Sequence, residues 1–156
     1  MDPNNYRGIS IPAALGKIYD LVLCRRFTLW YKPKYEQAGA QKGRGCEEQI
    51  LTLRLLIDIA RKSNRTLYVT FIDYVKAYDK VNRYKLLEIL DSRGCGTKFL
   101  NALSNSMCNS YGVIGGETFR ATAGVRQGAS LSCPLFTLYI EATISAISSG
   151  GTDGRV

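Results

Sequence analysis

Between Thr66 and Ile72 the chain runs Thr-Leu-Tyr-Val-Thr-Phe-Ile, β-branched or aromatic at almost every step, and it turns polar at Asp73. Such a run reads as a buried strand. The continuation, Asp73-Tyr-Val-Lys-Ala-Tyr-Asp79, places a second aspartate six positions after the first, with an aromatic ring directly ahead of it. A carboxylate at the end of a buried strand is held rigidly at the edge of water. It suits Mg²⁺, which takes one or two carboxylates plus phosphate oxygens instead of a full protein cage. The competing reading of Asp73 is a carboxylate that ends the strand and caps the next turn. For Asp79 a turn or N-cap role, ahead of a helix opening near Arg83, is the simpler reading.

Most of the remaining chain is patterned for helices. Residues 13–31 carry Leu15, Ile18, Leu21, Val22 and then Phe27 or Leu29 at helical spacing, and Pro33 stops the run. A Gly-rich loop with Lys42 and Arg44 follows. A second helix is expected from about Glu47 to Lys62, with Ile50, Leu53, Leu56, Ile57 and Ala60 on one face, acids in its first turn and Arg61 and Lys62 at its end. That charge placement suits the helix dipole. Residues 83–93 and 97–107 read as two helices broken at Gly94-Cys-Gly96. Tyr111–Ile114 and Thr118–Thr122 flank Gly115-Gly116-Glu117, a hairpin signal. After the loop Ala123–Gly128, a last helix is expected from about Ser130, with Leu131, Leu135, Leu138 and Ala142 on one face and Pro134 in its first turn. This order predicts an α+β fold, a small antiparallel sheet covered by helices.

Composition narrows the chemistry. The 156 residues include no histidine, which removes Ser-His-Asp and Cys-His triads and histidine acid–base work. Five cysteines, none spaced C-x-x-C, give no zinc pattern and read as reduced, mostly buried thiols of an intracellular protein. No apolar run approaches the ~20 residues of a membrane span, so no membrane partner is expected. The net charge is +8. Residues 1–65 hold twelve basic and six acidic side chains, whereas residues 66–156 hold nine and seven. A basic first half either grips a polyanion or is solvated surface.

Four stretches together resemble the reverse transcriptases of non-LTR (LINE-type) retrotransposons. Phe71-Ile-Asp-Tyr-Val-Lys-Ala-Tyr-Asp-Lys-Val81 is similar to the family's palm motif F-x-D-[FY]-x-K-A-[FY]-D-x-V. Gly124-Val-Arg-Gln-Gly-Ala-Ser-Leu-Ser-Cys-Pro-Leu-Phe136 is similar to G-[VT]-[RP]-Q-G-x-x-L-S-P-x-L-F, with Cys133 standing between Ser132 and Pro134. Asn5-Tyr-Arg-Gly-Ile-Ser10 is similar to N-[YF]-R-P-I-S, with Gly8 for proline. Gln37-Ala-Gly-Ala-Gln-Lys-Gly-Arg44 is similar to Q-x-G-F-R-x-G-R, with Ala40 and Gln41 for the aromatic residue and the arginine.

The resemblance implies an RNA-directed DNA polymerase working with an RNA template, a DNA primer and dNTPs, and with Mg²⁺ or alternatively Mn²⁺. It implies a fingers portion over residues 1–65, a partial palm over 66–148 and a tail over 149–156. It assigns metal binding and catalysis to Asp73, with the main-chain carbonyl of Tyr74 as a further ligand. It assigns Tyr78 the role of a steric gate beneath the sugar, Gln127 and Gly128 the lining of the nascent base pair, and Arg7 a triphosphate contact. Lys42 and Arg44 would hold template backbone. The family's second acidic motif, [FY]-x-D-D, has no counterpart in the sequence. The expectation is therefore an internal fragment, inactive alone, since one acidic strand end does not neutralise two cations and a triphosphate. The rival reading, from a different class, is a non-catalytic basic RNA-binding module on the polymerase scaffold.

Overall fold

The computed structural model describes residues 9–150, with side chains through 145. Five helices and one hairpin follow in the order α1 (Ala14–Trp30), α2 (Cys46–Lys62), α3 (Arg83–Ser92), α4 (Thr97–Cys108), β1 (Tyr111–Ile114), β2 (Glu117–Arg120) and α5 (Ser132–Gly150). The α+β expectation is met. The chain divides into two compact units, one of Met1–Pro33 with Lys76–Val156 and one of Lys34–Val75.

The first unit holds the core. Phe27, Val81, Leu86, Leu90, Leu103 and Leu138 are fully buried, each large side chain contributing about 1.5–3 kcal/mol by leaving water. α3 packs on α4 and α5, and α1 packs on α5. The predicted face of α5 is the buried one, with Leu131, Leu135 and Leu138 inside. Pro134 lies in the first turn, where an amide hydrogen has no partner to lose. Of the face expected of α1, only Phe27 packs. Leu15, Ile18, Leu21 and Val22 are exposed, whereas Leu23, Phe27 and Tyr31 are buried at a spacing of four. Their ends are tied by charge as well as by packing. Buried Glu141 on α5 accepts from Tyr31 Oη at 2.7 Å and from Arg93 Nη1 at 2.9 Å, joining the ends of α1 and α3.

The hairpin turns on Gly115-Gly116, at φ 60° and 88°. Positive φ at both central residues is what a two-residue turn between twisted strands needs. Glu117, read as part of the turn, instead opens β2 opposite Ile114. The Phe119 ring lies against its cross-strand partner Gly112, where no Cβ would fit.

The second unit is a loop, the helix α2 and a tail without regular structure. α2 carries Glu47 and Glu48 in its first turn and Arg61 and Lys62 in its last, as expected. None of its residues is buried, and of the predicted face Leu53, Ile57 and Ala60 are half-buried while Ile50 and Leu56 are exposed. The expected buried strand over Thr66–Ile72 does not form. The segment has no regular structure and is exposed throughout, with Tyr68 at 90% and Phe71 at 82%. A strand is a paired object, and the only sheet among the described residues is β1–β2. Among the described residues no helix is long and apolar enough to cross a membrane. Of the cysteines only Cys95 is buried. Cys24 and Cys108 are half-buried, and Cys46 and Cys133 are exposed, so the expectation of mostly buried thiols is corrected.

Candidate functional site

The turn after Val75 is tight. Asp79 and Lys80 both donate their amides to the Lys76 carbonyl, at 3.0 and 3.1 Å. Lys76 sits at φ 52°, a left-handed conformation uncommon for a residue with a side chain. The loop Gly124–Gly128 lies directly on this turn. Gly124 N donates to Val81 O at 3.0 Å and Val125 N to Tyr78 O at 2.9 Å. Gly124 has φ 76°, and a Cβ there would stand 2.8 Å from both Asp79 Cα and Tyr78 O. Only glycine permits this backbone-to-backbone approach.

The contact is closed by side chains. Gln127 Nε2 donates to Asp79 Oδ1 at 3.0 Å. Asp79 is thus a bracing carboxylate. It is not the helix cap, since Asn82 takes that place by accepting from Lys85 N at 3.1 Å. Gly128, at φ 101°, leaves 2.9 Å between a would-be Cβ and Ser10 O, and Ser10 N donates to Gln127 O at 2.9 Å. Tyr78, Asp79, Gln127 and Gly128 are therefore gathered in one place from two motifs far apart in sequence.

The Tyr78 ring is fixed from the α5 side. It stacks on Phe136 with centroids 4.6 Å apart and planes 19° off parallel. Its hydroxyl donates to Cys133 Sγ at 3.4 Å. Burial, and then the contact with Cys133, push the phenol up to about 12. Cys133 stands in the first turn of α5, between Ser132 and Pro134, and from there reaches this ring.

One residue that sequence reasoning passed over dominates the underside of this loop. Arg83, 6% exposed, donates Nε to Gly124 O at 2.7 Å, Nη1 to Met107 O at 2.5 Å and to Ala121 O at 2.6 Å, and Nη2 to Ala123 O at 3.0 Å. Burial pulls its pKa down, partly offset by Cys108 and reinforced by Arg126. No pattern marks an arginine as buried, and its place at the opening of α3 reads as solvent. Beside it opens a cleft of ≈520 Å³ whose walls include Ile11, Asp79, Tyr111, Val113, Arg126 and Gln127.

Asp73, Tyr74, Lys42 and Arg44 lie in the second unit. Asp73 is exposed, and no hydrogen bond or ion pair engages its carboxylate among the described residues; Tyr74 follows it, 46% exposed. A hard cation asks for such oxygens, and the free carboxylate with the adjoining carbonyl fits one in kind. Among the described residues no three His, Cys, Asp or Glu side chains gather to make a fuller set. Lys42 is exposed on the Gly-rich loop. Arg44 is engaged locally. It holds Glu48 through Nε at 3.0 Å and Nη2 at 2.7 Å, donates to Tyr35 O, and lies 4.6 Å over the Tyr35 ring. The hydrogen bond to Glu48 raises the guanidinium's pKa, and its counterpart lowers that of Glu48. Arg7 lies outside the described residues.

Comparison with known proteins bears on the whole stretch. Residues 1–150 match the family described as reverse transcriptase (RNA-dependent DNA polymerase). The chain is 27% identical over 154 residues to a retrovirus-related Pol polyprotein from the type-1 retrotransposable element R2 of Bradysia coprophila, covering 96% of this chain and 18% of the relative. It is 28% identical over 168 residues to the corresponding R2 polyprotein of Popillia japonica, covering 99% and 23%. With the Pol polyprotein from the type-2 element R2DM of Drosophila melanogaster it shares 24% over 152 residues, covering 94% and 14%. The chain spans under a quarter of the length of these curated relatives.

Proposed function

The chain belongs to the reverse transcriptase family, and on that premise we propose that it is the nucleotide-handling segment of a non-LTR retrotransposon RNA-directed DNA polymerase. Residues 1–65 serve as fingers, 66–148 as the first part of the palm and 149–156 as the tail beyond it. The parent enzyme joins a primer 3′-hydroxyl to the α-phosphate of a dNTP on an RNA template and releases pyrophosphate, largely by positioning and electrostatics. The observation that carries this reading is the seating of Gly124–Gly128 on Tyr78–Val81, which brings the nucleotide-lining loop onto the sugar-gate turn through two backbone hydrogen bonds.

Roles follow residue by residue. Asp73 and the Tyr74 carbonyl hold Mg²⁺, with Mn²⁺ as a substitute. A bound divalent ion supplies charge neutralisation for the triphosphate and for the oxygen that attacks it. Tyr78 excludes a 2′-hydroxyl, and its stack on Phe136 supports that role, because steric exclusion needs a ring that does not move away. Gln127 and Gly128 line the base pair. The Asp79 carboxylate orients the Gln127 amide, leaving its carbonyl oxygen for a partner. Arg7 contacts the triphosphate, and Lys42 and Arg44 the template backbone. The stacked, fork-bound Arg44 serves as a fixed charge and Lys42 as a mobile one.

The test is primer extension on a primed RNA template by the polymerase that carries this segment, with Asp73→Asn beside it. Incorporation of dNTPs is expected, and Asp73→Asn is expected to abolish it at nearly constant shape. Full activity of Asp73→Asn removes the metal role. Salt-sensitive RNA binding without any extension by the whole protein returns the basic RNA-binding module. The 156-residue chain alone is expected to extend no primer.

A further inference from the structure

We propose that Arg83 is a positioning residue that sets the height and tilt of the Gly124–Gly128 loop, an inference that rests on the nucleotide-handling role given to that loop above. The guanidinium is buried, and no carboxylate pairs with it among the contacts of the described residues. Its donors go to four main-chain carbonyls instead. Three of these, from Ala121, Ala123 and Gly124, form the run that descends from β2 into the loop. The fourth, from Met107, belongs to the last turn of α4.

That distribution distinguishes positioning from bulk stability. The hydrophobic core lies mostly between α1, α3, α4 and α5 and takes in Val125 of the loop, whereas the Arg83 bonds fan out towards the irregular run that leads into the loop. Between Ala121 and Gly124 the main chain has no sheet ladder, and its tie to the hairpin base is Ala121 N to Ser110 O at 2.9 Å. The amides of Gly124 and Val125 fasten the loop from above to Val81 and Tyr78. The carbonyls on its approach are fastened from below by one side chain. A planar fork with five donors can hold three non-equivalent carbonyls at once, and an ammonium on a flexible stem cannot. Charge-assisted bonds are about twice as strong as neutral ones, so this single group outweighs the segment's other ties.

The anchoring end is itself built to receive cations. The last turn of α4 exposes carbonyls at the negative end of the helix dipole. Arg126 Nη2 donates to Ser106 O and Arg120 Nη2 to Cys108 O at 3.2 Å, flanking the Arg83 bond to Met107. Three arginines from three other segments thus converge there. Arg126 lies inside the loop and also lines the ≈520 Å³ cleft with Gln127. Loop, hairpin base and α4 are referred to one fixed point.

The test uses the whole 156-residue chain with Arg83→Lys, which keeps charge without the fork, and Arg83→Met, which keeps length without charge. Amide hydrogen exchange is read at Gly124 and Val125 and, for reference, at Leu90 and Leu138. Exchange at the two loop amides is expected to rise at least about tenfold in both variants, with the reference amides little changed. In the polymerase carrying this segment, Arg83→Lys is expected to raise the KM for dNTP about tenfold with the KM for primer–template unmoved, as misplacement of a substrate-lining loop requires. Equal loss of protection at loop and core, in both variants, overturns the proposal in favour of simple stability. So does an unchanged loop, or a dNTP KM that does not move. Asp73→Asn in the same assay separates the two readings. If the unsubstituted protein extends no primer, the polymerase reading fails; if it extends and Asp73→Asn does not while Arg83→Lys is normal, only the positioning role fails.

Discussion

Replacing Gly124 with alanine tests the junction between the two motifs at its tightest point. The residue sits at φ +76°, and the added methyl would meet Tyr78 O and Asp79 Cα at 2.8 Å and Asp79 O at 2.9 Å. All three are main-chain atoms, so no side chain can rotate aside. A left-handed alanine costs about 1–2 kcal/mol, and forcing a methyl against fixed atoms about 1–3 kcal/mol more. Alternatively the loop lifts and surrenders the Gly124–Val81 and Val125–Tyr78 bonds, at about 1 kcal/mol each. Either route gives roughly 2–5 kcal/mol, and at ~2–4 °C per kcal/mol for a chain of this size the melting temperature drops by about 4–20 °C. Gly116→Ala is the control. It has φ +88° and nothing within 4 Å of its Cβ position, leaving the conformational term of about 1–2 kcal/mol and a drop of ~2–8 °C. Thermal melts of the wild type and both variants, followed by circular dichroism at one concentration and pH, make the comparison. A drop for Gly124→Ala no larger than that for Gly116→Ala refutes the close approach.

Three further outcomes are expected. In the polymerase, Tyr78→Ala should raise kcat/KM for ribonucleotides relative to deoxyribonucleotides, while Tyr78→Phe keeps the ratio; an unchanged ratio with a lowered melting temperature makes Tyr78 packing alone. The Tyr78 phenol, raised to about 12 in the fold, stays neutral where an unfolded tyrosine ionises near pH ~10, so its contribution is complete below that pH and is lost as pH climbs towards 12. Spectroscopic titration of tyrosinate should show a late component that Tyr78→Phe deletes, and an unchanged titration counts against its burial. RNA binding by the chain should weaken at least about tenfold between roughly 50 and 200 mM salt and depend little on sequence; salt-independent binding leaves the +8 charge as solvated surface.

The helices were legible because their evidence is local. The charges at the ends of α2, Pro33 after α1 and the periodic leucines of α5 each lie within one or two turns of the helix they mark. The Gly115-Gly116 turn was legible for the same reason. The face of α1 was not, because apolar residues surround that helix. Leu15, Ile18 and Val22 make as good a stripe on paper as Leu23, Phe27 and Tyr31. Only the partner decides, and here Phe99 stacks near Phe27, with ring centroids 6.0 Å apart. Arg83 was invisible for a deeper reason. Its four acceptors are backbone carbonyls 24 to 41 residues away, and a carbonyl has no residue type to betray it.

The stretch over Thr66–Ile72 shows the same limit from the other side. Its composition is that of a strand, yet Tyr68, Phe71 and Ile72 stand exposed. β-propensity measures how well a side chain fits a pleated, half-covered surface, and it has no meaning until a neighbouring strand provides that surface. A segment with five large exposed apolar side chains, Leu67, Tyr68, Val69, Phe71 and Ile72, is a surface built for contact, so the pattern records the environment that selected it and not a structure these residues make unaided. Asp73 inherits the consequence. Its carboxylate is fixed in place only when the segment before it is paired, and the metal role assigned to it requires that pairing. The loop at Gly124–Gly128 differs, because its placement depends on bonds within its own unit. The nucleotide-lining half of the proposed machinery is therefore preassembled in this chain, whereas the metal-binding half depends on completing a sheet.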